Sequence, residues 1–221
     1  MHGRRSLARG LAACLLLAGP ATAKATEDPA ETLYRDKTCI ACHGPKGVEA
    51  RLVFPSLAGQ NKTYIYNQTR DIIGGKRLGS PDGSGRPATA GMREALVAPN
   101  GEVRISDGEI RRIAAWLERL PPAQPSNRQA VDPTAVEAGR KAYKKRKCQI
   151  CHGRDGRRPL KRYPFIAGQK KAYLVRQMTD IKAKIRTNGK TGVMRASIRQ
   201  TTAAEIEAIA AYLSRIDRSG N

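Results

Sequence analysis

Two pentapeptides 109 residues apart, Cys39-Ile40-Ala41-Cys42-His43 and Cys148-Gln149-Ile150-Cys151-His152, constrain this chain more than any other feature. Both read C-x-x-C-H, the attachment pattern for c-type haem. The chemistry accounts for the spacing. Each thiol adds to one of two vinyl groups on the same macrocycle edge, and two intervening residues let one helical turn offer both sulfurs. The adjacent His then falls beneath the iron. Three other uses share parts of the pattern. A thioredoxin-like pair would open a helix in a βαβ unit, and no strand pattern flanks either copy. A tetrahedral zinc site could take two C-x-x-C pairs, but these are far apart and each brings its own His. Structural disulfides would not require a His after each pair. Covalent attachment of two haems c is therefore the expectation, through Cys39, Cys42, Cys148 and Cys151.

The chain has three histidines, and His2 lies in a leader sequence, so His43 and His152 are the only candidates for iron. Neither haem then has a second His from this chain. After the initiator, Met92, Met178 and Met194 remain. Met178 falls inside a helical pattern and reads as a core filler. Met92 and Met194 each fall in a loop between the middle and last helices of a repeat, and Arg follows both. Their repeated placement makes them the expected sixth ligands, and a thioether opposite an imidazole favours ferrous iron. Pro55 and Pro164 each lie 12 residues after a motif His. A ligating His needs an acceptor for its other ring nitrogen, and a loop Pro offers a fixed carbonyl.

Sliding the chain by 109 residues aligns more than the motifs. Phe54-Pro55 falls on Tyr163-Pro164, and Leu57-Ala58-Gly59-Gln60 on Ile166-Ala167-Gly168-Gln169. Tyr64, Gln68, Asp71 and Ile72 fall on Tyr173, Gln177, Asp180 and Ile181. Later the offset drops to 96, so the first copy carries 13 extra residues, around Gly79 to Gly85 and Pro99 to Val103. Self-similarity of this kind predicts two homologous domains. Each reads as helices and loops. Asp28-Pro29 and Asp132-Pro133 place an N-cap and a first-turn Pro before the motif helix. Middle helices are expected from about Lys62 to Gly74 and Lys170 to Ile185. The last helices open with capping boxes, Ser106-x-x-Glu109 and Thr202-x-x-Glu205. The expected architecture is all-α, with residues 24–120 and 132–221 as two haem domains and a Pro-rich linker over 121–131.

The N-terminus reads as a secretory signal over residues 1–23. Arg4, Arg5 and Arg9 precede a short apolar run from Leu11 to Gly19, and Ala21-Thr22-Ala23 is an A-x-A cleavage site. The run is far below the roughly 20 residues a transmembrane helix needs. Cys14 raises the alternative of a lipid anchor, but little apolar sequence precedes it. Export to the periplasm, with cleavage near Ala23, is the expectation. One Trp, seven Tyr and two Phe are thin filling for two cores, and domains of about 100 residues often need a cofactor or staple.

At this point the chain resembles the dihaem cytochrome c4 family, built from two class I cytochrome c domains. The resemblance rests on the paired C-x-x-C-H-G motifs, the F/Y-P-x-hydrophobic-A-G-Q segments, the Tyr that follows each and the loop Met residues. It implies a periplasmic electron carrier whose domains meet across a pseudo-twofold interface. It also implies His43/Met92 and His152/Met194 as axial pairs, with Pro55 and Pro164 as acceptors for the ligating histidines. The insertion in the first domain and the strong positive charge depart from the family.

Without the leader arginines, 38 Lys+Arg stand against 19 Asp+Glu, a formal +19. Arg140 to Arg162 holds 11 basic residues and one acid, Asp155, around the second motif. Export argues against nucleic acid as the target. Charge concentrated at one redox centre is expected to steer an acidic redox partner to the second domain, such as a membrane-bound oxidase or a periplasmic oxidoreductase. An anionic membrane surface could use the same charge. With both irons saturated and no spare His, an electron-transfer protein rather than an enzyme is expected. The alternatives are a dihaem electron-accepting subunit of a larger oxidoreductase, such as a flavocytochrome sulfide dehydrogenase, and a haem peroxidase with one open iron.

Overall fold

The computed structural model describes residues 27–48, 50, 54–124, 132–160 and 163–218. The leader, Cys14 and residues 125–131 of the expected linker lie outside the described residues. Among the described residues, ten α-helices fall into two sets of five. Domain 1 holds α1 (Pro29–Asp36), α2 (Cys39–His43), α3 (Lys62–Ile73), α4 (Ala90–Leu96) and α5 (Asp107–Arg119). Domain 2 repeats them as α6 (Pro133–Lys145), α7 (Gln149–His152), α8 (Lys171–Lys182), α9 (Thr191–Ile198) and α10 (Ala203–Ser214).

The helix starts follow the local chemistry read from the sequence. Asp28 accepts from the Ala30 amide at 2.8 Å and Asp132 from the Thr134 amide at 2.9 Å, each with Pro in the first turn. Both capping boxes form, at Ser106/Glu109 and at Thr202/Glu205. The methionines sit differently from expectation. Met92 lies in α4 and Met194 in α9, so these segments are short helices rather than loops. Helices of seven and eight residues are too short to hold themselves in water, where ~12–15 residues are marginal. Neither has a side-chain N-cap. Buried Leu96 and Ile198 instead tie them to the domain cores.

Each core is a crossing of the first and last helices. Tyr34 packs on Trp116 with ring centroids 5.3 Å apart, and Tyr143 on Tyr212 at 5.8 Å. The same tyrosines donate to the carbonyl that ends each motif helix, Tyr34 to Gly44 at 2.9 Å and Tyr143 to Gly153 at 2.7 Å. The core thus fixes the position of the motif directly. In domain 2 the crossing is tight at Gly139, where a Cβ would collide with the Ala208 carbonyl.

No named strand occurs among the described residues. The extra residues of domain 1 divide into two small turns, closed by isolated bridges between Pro81 and Pro87 and between Val97 and Val103. The first turn reaches domain 2, where the Ser80 amide donates to Asp180 at 3.2 Å. The domains meet through a reciprocal pattern. Gln60 bonds both backbone groups of Phe165, and Gln169, its repeat counterpart, bonds both backbone groups of Ser56.

Candidate functional site

Each motif helix is bracketed by left-handed backbone. Thr38 (φ 59°) precedes α2 and Lys147 (φ 57°) stands at the same repeat position before Cys148. A side chain in this region costs roughly 1–2 kcal/mol, so its recurrence marks a turn that the fold imposes. After each His comes a glycine at positive φ, Gly44 (73°) and Gly153 (77°). At Gly153 a Cβ would strike the Arg158 carbonyl. These turns present both cysteines of a motif and its histidine to one interior space.

The His43 ring lies 2.9 Å through Nδ1 from the Pro55 carbonyl, and His152 lies 3.2 Å from Pro164. A carbonyl only accepts, so Nδ1 carries the proton in both rings and Nε2 keeps its lone pair. Burial pushes the pKa of both histidines below the usual value, which keeps the rings neutral. Around His43 the nearby Arg77 and Lys170 charges add to this. Phe54 and Tyr163 stand edge-on to the two rings at 6.3 and 6.0 Å.

Two cavities carry these groups. One is lined by Cys39, Cys42, His43 and Met92, with Ile105, Ile110, Ile113 and Leu117 from the core of domain 1. The other is lined by Cys148, Cys151, His152 and Met194, with Ile198, Ile209 and Leu213 from domain 2. The second also reaches His43 and Met92 across the interface. None of the four motif cysteines forms a disulfide, and burial pushes the thiols of Cys39 and Cys148 up to about 11. Among the described residues no group of three or more His, Cys, Asp or Glu side chains is placed to hold a metal ion. The two C-x-x-C pairs therefore do not come together as a zinc site would need. Met178, in α8, is buried in the core of domain 2, as a filler should be.

The wall between the cavities holds residues whose role the sequence did not disclose. Arg77 donates to Tyr173 at 2.9 Å and to Gln177 at 3.2 Å. Its repeat counterpart Arg186 donates to Tyr64 at 3.2 Å and to Gln68 at 2.8 Å. Each arginine thus crosses the interface to the other domain. The tyrosines and glutamines were visible as repeated residues. The arginines recur at the same 109-residue offset, a signal that could have found them. Burial would raise the Tyr64 pKa, but Arg186 and Arg77 outweigh it and hold it below the usual value.

The residues present fit a porphyrin with two acidic side chains. Buried cations need anionic partners, yet Arg77 and Arg186 bond chiefly to neutral groups, and Arg77 Nε is buried with no partner. The propionates of a haem would meet that need, while the apolar lining takes the macrocycle. The chemistry of the donor set agrees: two thiols, a neutral imidazole with a fixed tautomer, and a thioether on the same cavity wall.

Comparison with known proteins decides the family. The cytochrome c family model matches residues 28–121 and again 136–217. The chain is similar to cytochrome c4 of Azotobacter vinelandii, with 33% identity over 86% of this chain and 90% of that one. The chain belongs to the cytochrome c4 family. As a cytochrome c4 it binds two c-type haems and transfers electrons. The crystal structure of reduced recombinant cytochrome c4 from Pseudomonas stutzeri superimposes with a TM-score of 0.67 at 29% identity, covering 86% of this chain and all of that one. A thiosulfate dehydrogenase electron acceptor from Thiomonas intermedia is 27% identical over 96% of this chain and 90% of its own length. No helix among the described residues is long and apolar enough to cross a membrane.

Proposed function

We propose that this chain is an exported, periplasmic electron carrier with two His/Met-ligated haems. Cys39 and Cys42 hold one haem and Cys148 and Cys151 the other, with axial pairs His43/Met92 and His152/Met194. Residues 24–120 and 132–221 are the two functional units, joined over 121–131 after removal of residues 1–23. The observation that carries this reading is the repeated hydrogen bond from His Nδ1 to a proline carbonyl, with a methionine on the wall of the same cavity in each domain.

When bound, each haem supplies a one-electron ferric/ferrous couple. The chain's own groups set the conditions for it. Pro55 and Pro164 hold the imidazoles in the tautomer that leaves Nε2 free, and strengthen them as donors. The methionine thioethers favour the ferrous state. Buried Arg77 and Arg186 disfavour the additional positive charge of ferric iron. With His and Met both ligating, neither iron would keep a position for a substrate, which suits a carrier rather than a catalyst. The excess of basic residues suits an acidic redox partner.

The test is intact-mass analysis of the exported protein, which is expected to lack residues 1–23 and to carry two haems. Replacing Cys148 and Cys151 with Ala should remove one haem and leave the other. Retention of both would contradict the assignment. A second reading, an electron-accepting subunit of a larger oxidoreductase, is favoured by the likeness to the Thiomonas intermedia thiosulfate dehydrogenase electron acceptor. A partner that copurifies stoichiometrically would select it.

A further inference from the structure

The two domains share a fold but not a surface. Residues 24–120 carry 15 Lys+Arg against 12 Asp+Glu, a net of +3, whereas residues 132–221 carry 22 against 7, a net of +15. Ion pairs form in both domains, in domain 2 at Arg140, Lys145, Arg146 and Lys171 among others, and what differs is which cations they leave over. In domain 1, Arg35, Lys37, Lys46 and Arg70 pair with Glu27, Glu109, Glu31 and Asp107. In domain 2 the exposed Lys144, Lys147, Arg154 and Arg158 have no carboxylate partner among the described residues, and Lys190 rests on the Tyr163 ring at 4.7 Å. These five surround the second motif. Lys147 precedes Cys148, Arg154 follows the Gly153 turn, the Arg158 backbone abuts Gly153, and Tyr163 stands against His152.

The same edge is apolar at its centre. Ile150, between the two motif cysteines, is 61% exposed, and Leu160 is 57% exposed with its amide bonded to the Cys151 carbonyl at 3.0 Å. Large exposed apolar side chains rimmed by charge are the pattern of a protein interaction site. The repeat supplies an internal control. In domain 1, Ile150 becomes Ala41 and Leu160 becomes Arg51. Lys144, Lys147, Arg154 and Arg158 become Arg35 (already paired), Thr38, Pro45 and Glu49, and Lys190, four residues before Met194, becomes Ala88, four before Met92. Nearly every feature of the patch is missing from a domain with the same backbone plan.

We propose that the exposed edge of the second motif, Ile150 and Leu160 ringed by Lys144, Lys147, Arg154, Arg158 and Lys190, is the docking face for an acidic redox protein, and that domain 1 has no equivalent. The inference rests on the carrier reading above and adds the place of contact. An acidic partner exchanges electrons directly with the haem of domain 2 and reaches that of domain 1 only through it. Long-range attraction by the cations sets the encounter rate, while the two apolar side chains set the lifetime of the contact.

The holoprotein can be tested by rapid mixing with the reduced soluble domain of cytochrome b5, an acidic one-electron donor. Arg154→Glu combined with Arg158→Glu is expected to lower the second-order rate about tenfold at low ionic strength and to flatten its salt dependence. Lys76→Glu combined with Arg112→Glu makes the same change in net charge on exposed positions of domain 1, and is expected to change the rate less than about twofold. Ile150→Ser should lower the rate at every salt concentration without altering the slope. Equal effects of the two charge reversals, or none from either, would overturn the proposal. So would a domain 2 reversal that abolishes cosedimentation with phosphatidylglycerol vesicles but leaves the rate intact, because the face would then bind membrane. Reduction of both haems by dithionite separates the two levels: a protein without two reducible haems fails as a carrier, and one with them that shows no patch effect fails only here.

Discussion

Gln60 in domain 1 and Phe165 in domain 2 are joined by a two-way hydrogen bond. The Phe165 amide donates to Gln60 Oε1 at 2.9 Å, and Gln60 Nε2 donates to the Phe165 carbonyl at 2.8 Å. Gln169 repeats the arrangement on Ser56, at 3.1 and 2.9 Å. The final residue of each Ala-Gly-Gln segment therefore clamps the opposite domain by its backbone. Replacing both glutamines with Ala removes four such bonds, each worth about 1 kcal/mol net. Calorimetry should then resolve two unfolding transitions where the native protein gives a more cooperative one. An unchanged profile would mean that the clamp does not couple the domains.

Glu205 should dominate the acid sensitivity of domain 2. Its carboxylate accepts from Arg146 at 2.6 Å and from the Thr202 amide at 2.9 Å, and Lys145 pairs with it at 3.3 Å. These partners, led by Arg146, lower its pKa to about 2 from an ordinary value of 4.5. A carboxylate with a depressed folded-state pKa stabilises the fold above its unfolded pKa and loses that contribution as pH falls through the folded value. Unfolding free energy should therefore decline between pH 4.5 and about 2, and Glu205→Gln should flatten that decline. A variant as acid-sensitive as the native protein would contradict this.

Arg186 should tune reduction potential. It is buried, donates to Tyr64 and Gln68, and lines the cavity that His43 and His152 share. Arg186→Gln removes a positive charge that disfavours ferric iron, so a midpoint potential should fall. A change of ~1 kcal/mol corresponds to a shift on the order of tens of millivolts for a one-electron couple. A redox titration showing a rise would reverse the sign of the argument.

Gly139 has the least room of the described glycines in domain 2. A Cβ there would meet the Ala208 carbonyl and lie 2.8 Å from Tyr212 Cβ, so α6 and α10 would have to separate. Overpacking of this kind costs typically ~1–3 kcal/mol. Gly139→Ala should lower the melting temperature of domain 2 even though Ala is the better helix former. A rise would show that the crossing yields freely.

Much of this architecture is legible in the sequence because it is local. The caps at Asp28, Asp132, Ser106 and Thr202 are short-range hydrogen bonds, and the apolar stripes Ile110, Ile113, Ala114, Leu117, Leu120 and Ile206, Ile209, Ala210, Leu213, Ile216 are simple helical periodicities. The Pro55 and Pro164 acceptors follow from spacing to the motif His. What escaped depends on tertiary contacts, within a domain or across the interface. The α4 and α9 helices around Met92 and Met194 exist only when packed on a core. The crossed arginines Arg77 and Arg186 have partners about 100 residues away in the chain. The division of the insertion into two turns follows from the separate bridges at Pro81 and Val97, which sequence spacing does not encode.

The most direct test of the ligation proposed here is the near-infrared methionine-to-iron charge-transfer absorption of the fully oxidised protein, quantified per iron. Axial pairs His43/Met92 and His152/Met194 require an intensity corresponding to two methionine-ligated ferric haems, with half lost in either Met→Ala variant. An absorption equivalent to one iron, or one unaffected by replacing Met92 or Met194, would contradict it.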